Sequence, residues 1–210
     1  SSLADAPGAI RITARDVNLG AGSLTDASGM QGGTIEIGGG WQGSGTLAHA
    51  TNVSIAQGAA LRADATADGG AGGTVAVWSD GETRFAGEIT ARGRGMGAGG
   101  AIETSGNHLT VEGTASASSE RGKAGKWLLD PSNIWIDDSQ PSTGTVHGGS
   151  NNITADDTYL KAAQITSVLN AGTSVELVTG NPTSHSNEGN ITVKSAIVKT
   201  AGNYATLTFK

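Results

Sequence analysis

Leu61-Arg-Ala-Asp-Ala-Thr-Ala-Asp-Gly-Gly-Ala-Gly-Gly-Thr-Val-Ala-Val77 decides how the rest of the chain is read. It is a short apolar stretch, a glycine-rich turn, and a second stretch in which apolar residues alternate. The same block stands at Leu24-Thr-Asp-Ala-Ser-Gly-Met-Gln-Gly-Gly-Thr-Ile-Glu-Ile37 and again at Ile89-Thr-Ala-Arg-Gly…Gly-Ala-Gly-Gly-Ala-Ile-Glu-Thr104. A worn fourth copy runs from Ala115-Ser-Ala-Ser to Gly122-Lys-Ala-Gly-Lys-Trp-Leu-Leu129. A unit written several times along a chain signals stacked repeats, each burying its neighbour's apolar face. Such a stack offers long surfaces rather than one enclosed cleft.

The spacing of the blocks narrows the architecture. The pairs Gly32-Gly33, Gly72-Gly73 and Gly99-Gly100 lie 40 and then 27 residues apart. Uneven spacing argues against a rigid propeller blade and suits a parallel β-helix, which keeps its strands and varies its turns. Strands are expected at 10–14, 17–19, 34–37, 53–55, 74–78, 84–85, 87–91, 101–104, 109–111, 127–129, 134–136, 175–179, 191–193 and 206–209. Many alternate apolar with polar residues, as one-sided strands do. Residues 155–172 place Leu160, Ile165, Val168 and Leu169 near helical spacing. Thr154 or Asp156 is the expected start of that helix, and Gly172 its end. The glycine-rich coils span 1–126 and the continuing coils 127–210, with a loop and helix insertion near 137–172. Of the 34 glycines, 27 precede Lys126; all seven Arg precede all six Lys.

Composition excludes several functions. The net charge is −6 and the basic residues are scattered, so no electrostatic footprint for nucleic acid exists. No apolar run approaches the ~18 residues a membrane span needs. Cysteine is absent, which removes disulfides and thiolate chemistry together. Both termini read as cut from a longer protein.

A family resemblance emerges when the blocks are read together with the segments C-terminal to them. Trp127-Leu-Leu-Asp-Pro-Ser-Asn-Ile-Trp-Ile136 comes next, then Ile165-Thr-Ser-Val-Leu-Asn-Ala-Gly-Thr-Ser-Val-Glu-Leu-Val-Thr179, Gly189-Asn-Ile-Thr-Val-Lys194 and Lys199-Thr-Ala-Gly-Asn-Tyr-Ala-Thr-Leu-Thr-Phe209. This resembles the filamentous haemagglutinin-like exoproteins of Gram-negative two-partner secretion systems. The resemblance implies a right-handed parallel β-helix, carried out of the cell through a dedicated outer-membrane pore. It also implies a secreted, cell-surface adhesin acting in attachment, aggregation or biofilm formation. Relatives of this kind also include stalks of contact-dependent toxins and proteins that capture haem carriers.

Candidate chemistry lies in the residues that depart from the repeat. Sugars stack on aromatic faces and bond to flanking acids, which makes Trp41, Trp78 and Asp80 the candidate glycan contacts. The partner would be an exopolysaccharide or a glycan or protein of a host surface. Trp41 sits in a glycine-flanked turn, whereas Trp127 and Trp135 read as packing residues. Trp127, Leu128, Leu129, Asp130 and Pro131 form a structural motif, with Asp130-Pro131 as a corner whose carboxylate bonds a nearby amide. Asn52, Asn152 and Asn190 open Asn-x-Ser/Thr sequons, yet each also stands where a turn-forming Asn begins a strand.

Metal and catalytic readings are weaker. Asp137-Asp138 and Asp156-Asp157 are adjacent acids in polar loops, and His49, His108, His147 and His185 are too dispersed for a zinc motif. Neither a cofactor nor a metal is expected. A polysaccharide lyase or glycosidase on the same fold would need two converging carboxylates, drawn from Asp64, Asp80, Glu88 and Glu103. A ligand-free stalk is the other alternative to a binding segment.

Overall fold

The computed structural model describes residues 7–140, 157–179 and 189–210. The described chain is mostly β, every strand pair in it is parallel, and it carries one α-helix. The first strands are β1 (Ala9–Ile12), β2 (Asp16–Leu19), β3 (Leu24–Asp26), β4 (Thr34–Ile37), β5 (Asn52–Ile55) and β6 (Ala60–Arg62). Two long strands, β7 (Thr74–Phe85) and β9 (Ala101–Val111), flank β8 (Glu88–Thr90). Then come β10 (Thr114–Ser116), β11 (Lys126–Asp130), β12 (Asn133–Ile136) and β13 (Asp157–Leu160). The helix α1 (Ala162–Asn170) precedes β14 (Ser174–Leu177), β15 (Ile191–Val193) and β16 (Leu207–Phe209).

The chain alternates between sheets. A large sheet is ordered β1-β4-β7-β9-β11-β14-β16, with β2 on β5 and β5 on β7. A narrow sheet is ordered β3-β6-β8-β10, and a third β13-β12-β15. The leading triplets of the four blocks become the narrow sheet, and their trailing strands join the large one. Each glycine turn therefore carries the chain from one sheet to the other.

Register makes the core. Ile35 lies beside Val75, and Ile102, Trp127 and Val175 continue the row in successive strands of the large sheet. On the narrow sheet Leu61 lies beside Ile89, and Ile89 beside Ala115. These inward columns are buried in one hydrophobic cluster. The core is thin, so small residues share it: Ala59, Ala63, Ala91 and Ala117 are all at most 1% exposed. Phe85 meets Trp127 edge-to-face at 6.2 Å, and the Trp127 Nε1–H donates to Thr104 Oγ1 at 3.0 Å.

The region after Lys126 departs from expectation in one respect. Residues 157–160 form a strand rather than the start of a helix, and α1 begins only at Ala162 after Lys161. Pairing with β12 gives 157–160 a backbone ladder and buries Leu160 to 2% exposure. An isolated helical turn offers neither. Thr154 and Asp156 lie outside the described residues. The helix buries Ala162, Ile165, Val168 and Leu169 on one stripe and lies near β10, where Gln164 Nε2–H donates to the Gly113 carbonyl at 2.7 Å. Gly172, at φ +86, ends it. The amides of Gly172 and Thr173 donate to Leu169 and Val168 carbonyls, the reverse turn that glycine permits after a helix. The large sheet itself continues across Lys126, since β11 pairs with β9 on one side and β14 on the other. Among the described residues no helix is long and apolar enough to cross a membrane.

Candidate functional site

The glycines of the blocks stack, and their stacking makes a groove. A Cβ on Gly73 would lie 2.0 Å from the Gly33 carbonyl oxygen, one on Gly100 2.0 Å from that of Gly73, and one on Gly125 2.1 Å from that of Gly100. No side chain can occupy this column. The backbone floor left behind borders a groove of about 560 Å³, with Thr74, Lys126, Ser174, Glu176, Thr206 and Thr208 among its walls. It crosses the strands from β7 to β16, a run of roughly 19 Å at ~4.8 Å per parallel neighbour. Hydroxyls and charged groups therefore recur along a straight line.

Beside the groove, one column of the large sheet points outward: Glu36, Ala76, Glu103, Leu128, Glu176 and Thr208 are neighbours in register. Residues 38–50 fold over the middle of this column. Their centre is a single 3₁₀ turn at Trp41–Gly43, in which Gln42 has φ 51. The Gln42 N–H donates to Glu103 Oε2 at 2.7 Å, and Ser105 Oγ–H donates to Glu103 Oε1 at 2.8 Å. Glu103 is 0% exposed and Leu128 1%. Burial pushes the Glu103 carboxyl up to about 7, with Asp130 adding to the rise against the hydrogen bonds of Gln42 and Ser105. Asp130 pairs in register with Ser105. It is 6% exposed, its Oδ1 has no hydrogen-bond partner, and burial raises its carboxyl as well.

Trp41 belongs to the same loop. Its indole is half-buried, with Lys126 Nζ 5.3 Å from the ring centroid. Lys126 reaches Glu176 at 3.3 Å, and Lys210 pairs with the same carboxylate. Those hydrogen bonds, Lys210 first, hold the Glu176 carboxyl below its usual range. Trp41, Lys126 and Glu176 thus form a short polar and aromatic line that runs into the groove.

The other sequence candidates fall elsewhere. Trp78 is 3% exposed; the backbone of Gly39 and Gly43 lies close against its indole, which leaves it no free face for a sugar. Its Nε1–H donates to Asp80 Oδ1 at 3.2 Å, and His49 Nδ1 meets the same oxygen at 2.9 Å. Asp64 lies at the narrow sheet, accepting from the Arg92 amide and Thr90 Oγ1, and Glu88 is in β8. They are brought together with neither Asp80 nor Glu103. The acid nearest Glu103 in register is Asp130, opposite Ser105, and the sequence reads it as a corner that bonds an amide. The corner is there, since Pro131 and Ser132 link β11 to β12, but the Asp130 carboxyl is buried beside Ser105 with no partner at its Oδ1. The alignment of Glu103 with Glu36 in the repeated block is the one signal in the sequence that marks this column.

Trp127 and Leu129 are core residues, and Trp135 stacks on Tyr159 at 6.3 Å with Lys194 above it. Asn52 opens β5 and donates to Asp16 Oδ1 at 2.8 Å; Asn190 precedes β15, its amide donating to Asn133 Oδ1. Asn152, His147 and His185 lie outside the described residues. Asp137 accepts from the Ser139 amide and hydroxyl, while Asp157 starts β13. Among the described residues no group of three or more His, Asp or Glu is placed to hold a metal ion. No protein-family model matches the chain, and no curated protein matches it significantly.

Proposed function

We propose that the chain winds as a right-handed parallel β-helix and forms a segment of a secreted bacterial surface adhesin that binds polysaccharide. Its parent chain would reach the surface through an outer-membrane pore. The observation that carries the reading is the straight groove over the glycine column, with Trp41 and the Lys126–Glu176 pair at its side. An aromatic face beside rows of hydroxyls and paired charges matches what a linear polymer of sugars can use. The parallel ladders support the coil, since each strand of the large sheet lies against the strand from the preceding or following passage through the block. The resemblance to filamentous haemagglutinin-like exoproteins supports the location and the adhesive role.

Binding is favoured over cleavage by one feature. Glu103 and Asp130 are only 0% and 6% exposed, and a hydrolytic pair works on substrate it can touch. A glycan array and an exopolysaccharide pull-down on the whole chain test the proposal. Retention of at least one polysaccharide class is expected. Failure to retain any would leave a ligand-free stalk as the better description.

A further inference from the structure

Residues 38–50 cover two groups that the glycan reading leaves idle, the Trp78 indole and Glu103, and a third, Asp130, is buried in register beside Ser105, which bonds Glu103. The ends of this segment are fixed by backbone hydrogen bonds, Gly38 N–H to Ile12 and Ala50 N–H to Gly38. Its centre is tied down at Glu103, through the amide of Gln42, which holds a left-handed φ of 51 that non-glycine residues rarely adopt. One carboxyl therefore secures a strained turn lying on a buried tryptophan.

The groups facing Glu103 decide what its charge does. From β11 come Lys126 and Asp130; from β9, Ser105; from the segment itself, the Gln42 amide. The facing strand β7 contributes Ala76 and Trp78, which carry no charge. Lys126 is shared with Glu176. Glu36, in the same column, is paired with Arg11, and His49 with Asp80 closes the far end of the segment. An ionised Glu103 thus stands in a dry site beside a second carboxyl, whose Oδ1 has no partner. Charge there is costly until water reaches it.

We propose that residues 38–50 are a cover that stays shut over a protonated Glu103, and that ionising Glu103 in this dry site lifts the cover and exposes Trp78 as a second aromatic face beside Trp41. The ligand in this scheme, a sugar ring, rests on the polysaccharide reading above; the movement of the cover does not. With Glu103 titrating at about 7 in the closed state, the open-to-closed ratio rises about tenfold between pH 6 and pH 8.

Hydrogen exchange on the whole chain, corrected for intrinsic rates, reads this directly at the Gln42 amide. Its protection is expected to fall about tenfold from pH 6 to pH 8 and to stay level in Glu103→Gln, which keeps the shape without the titration. Asp130→Asn is expected to move the fall to lower pH. Equal protection at both pH values, or the same fall in Glu103→Gln, overturns the proposal. Acrylamide quenching, taken as the difference between the native chain and Trp78→Phe, is expected to rise over the same interval. A falling protection with no polysaccharide retained leaves the cover standing and removes the glycan reading. Polysaccharide retained with constant protection does the reverse.

Discussion

The chain turns the same part of the large sheet in two ways. In β7 and β9 it runs through in one strand, with an irregularity only between Ser79 and Glu82. Between β4 and β5 it leaves the sheet at Gly38 and returns at Asn52, and the intervening residues fold back over the outer face. The unbroken passages add strands to the ladder and the core. The interrupted one places Trp41 on the surface, covers Trp78 and seals Glu103 beside Asp130. Most of the longer first interval between glycine pairs comes from these added residues. The repeat builds a scaffold, and the place where the repeat is interrupted builds the site.

The largest effect is expected when the scaffold alone is attacked. Gly100→Val puts a branched side chain 2.0 Å from the Gly73 carbonyl, inside the ladder. The backbone of Gly72 and Gly73 cannot yield, so a loss of more than ~4 kcal/mol or failure to fold is expected, seen by circular dichroism and urea melts. Gly20→Ala, which meets nothing within 4 Å, is expected to stay within ~0.5 kcal/mol. Equal damage from both would remove the glycine column as the reason for the repeat. Next in size is Trp127→Ala. It empties the largest buried side-chain volume in the core, at 2% exposure, and is expected to cost about 3–5 kcal/mol.

The interrupted passage makes its own prediction, through pH. The folded Glu103 carboxyl binds its proton more tightly than the unfolded chain does, about 7 against 4.5. Its contribution is therefore complete below pH ~4.5 and is lost as pH rises to about 7, by about 3 kcal/mol in all. Glu176, lowered by Lys210 and Lys126, acts in the opposite sense: its contribution is lost as pH falls through its folded value. Melting temperature is thus expected to decline from mildly acid to neutral pH, and to lose that decline in Glu103→Gln. A flat profile in the native chain would show that the carboxyl is hydrated and the cover open.

The features that can be read from sequence divide along the same line. The alternation in 34–37, 74–78 and 101–104 is legible because each strand has one inward face and repeats its neighbour. Trp41 stands out because glycines flank it. The Glu103–Asp130 meeting is not legible, because it depends on the register between β9 and β11, and adjacent strands do not announce their register in either sequence. Trp78 misleads for a related reason. A tryptophan ending an alternating strand beside Ser79-Asp80-Gly81 looks exposed until a segment some forty residues earlier is laid across it. Residues 157–160 read as helix because Leu160 fits both periods, and only their partner β12 decides between them.

Binding is assigned to the interruption and folding to the repeat. Retention of an exopolysaccharide panel, measured on native chain and on Trp41→Ala together with the melting temperature of each, separates the two. Trp41 is half-buried and absent from the hydrophobic core, so the substitution is expected to change stability by less than ~1 kcal/mol while reducing retention at least tenfold. Native chain that retains no polysaccharide, or a Trp41→Ala chain that retains it equally well, would overturn that assignment.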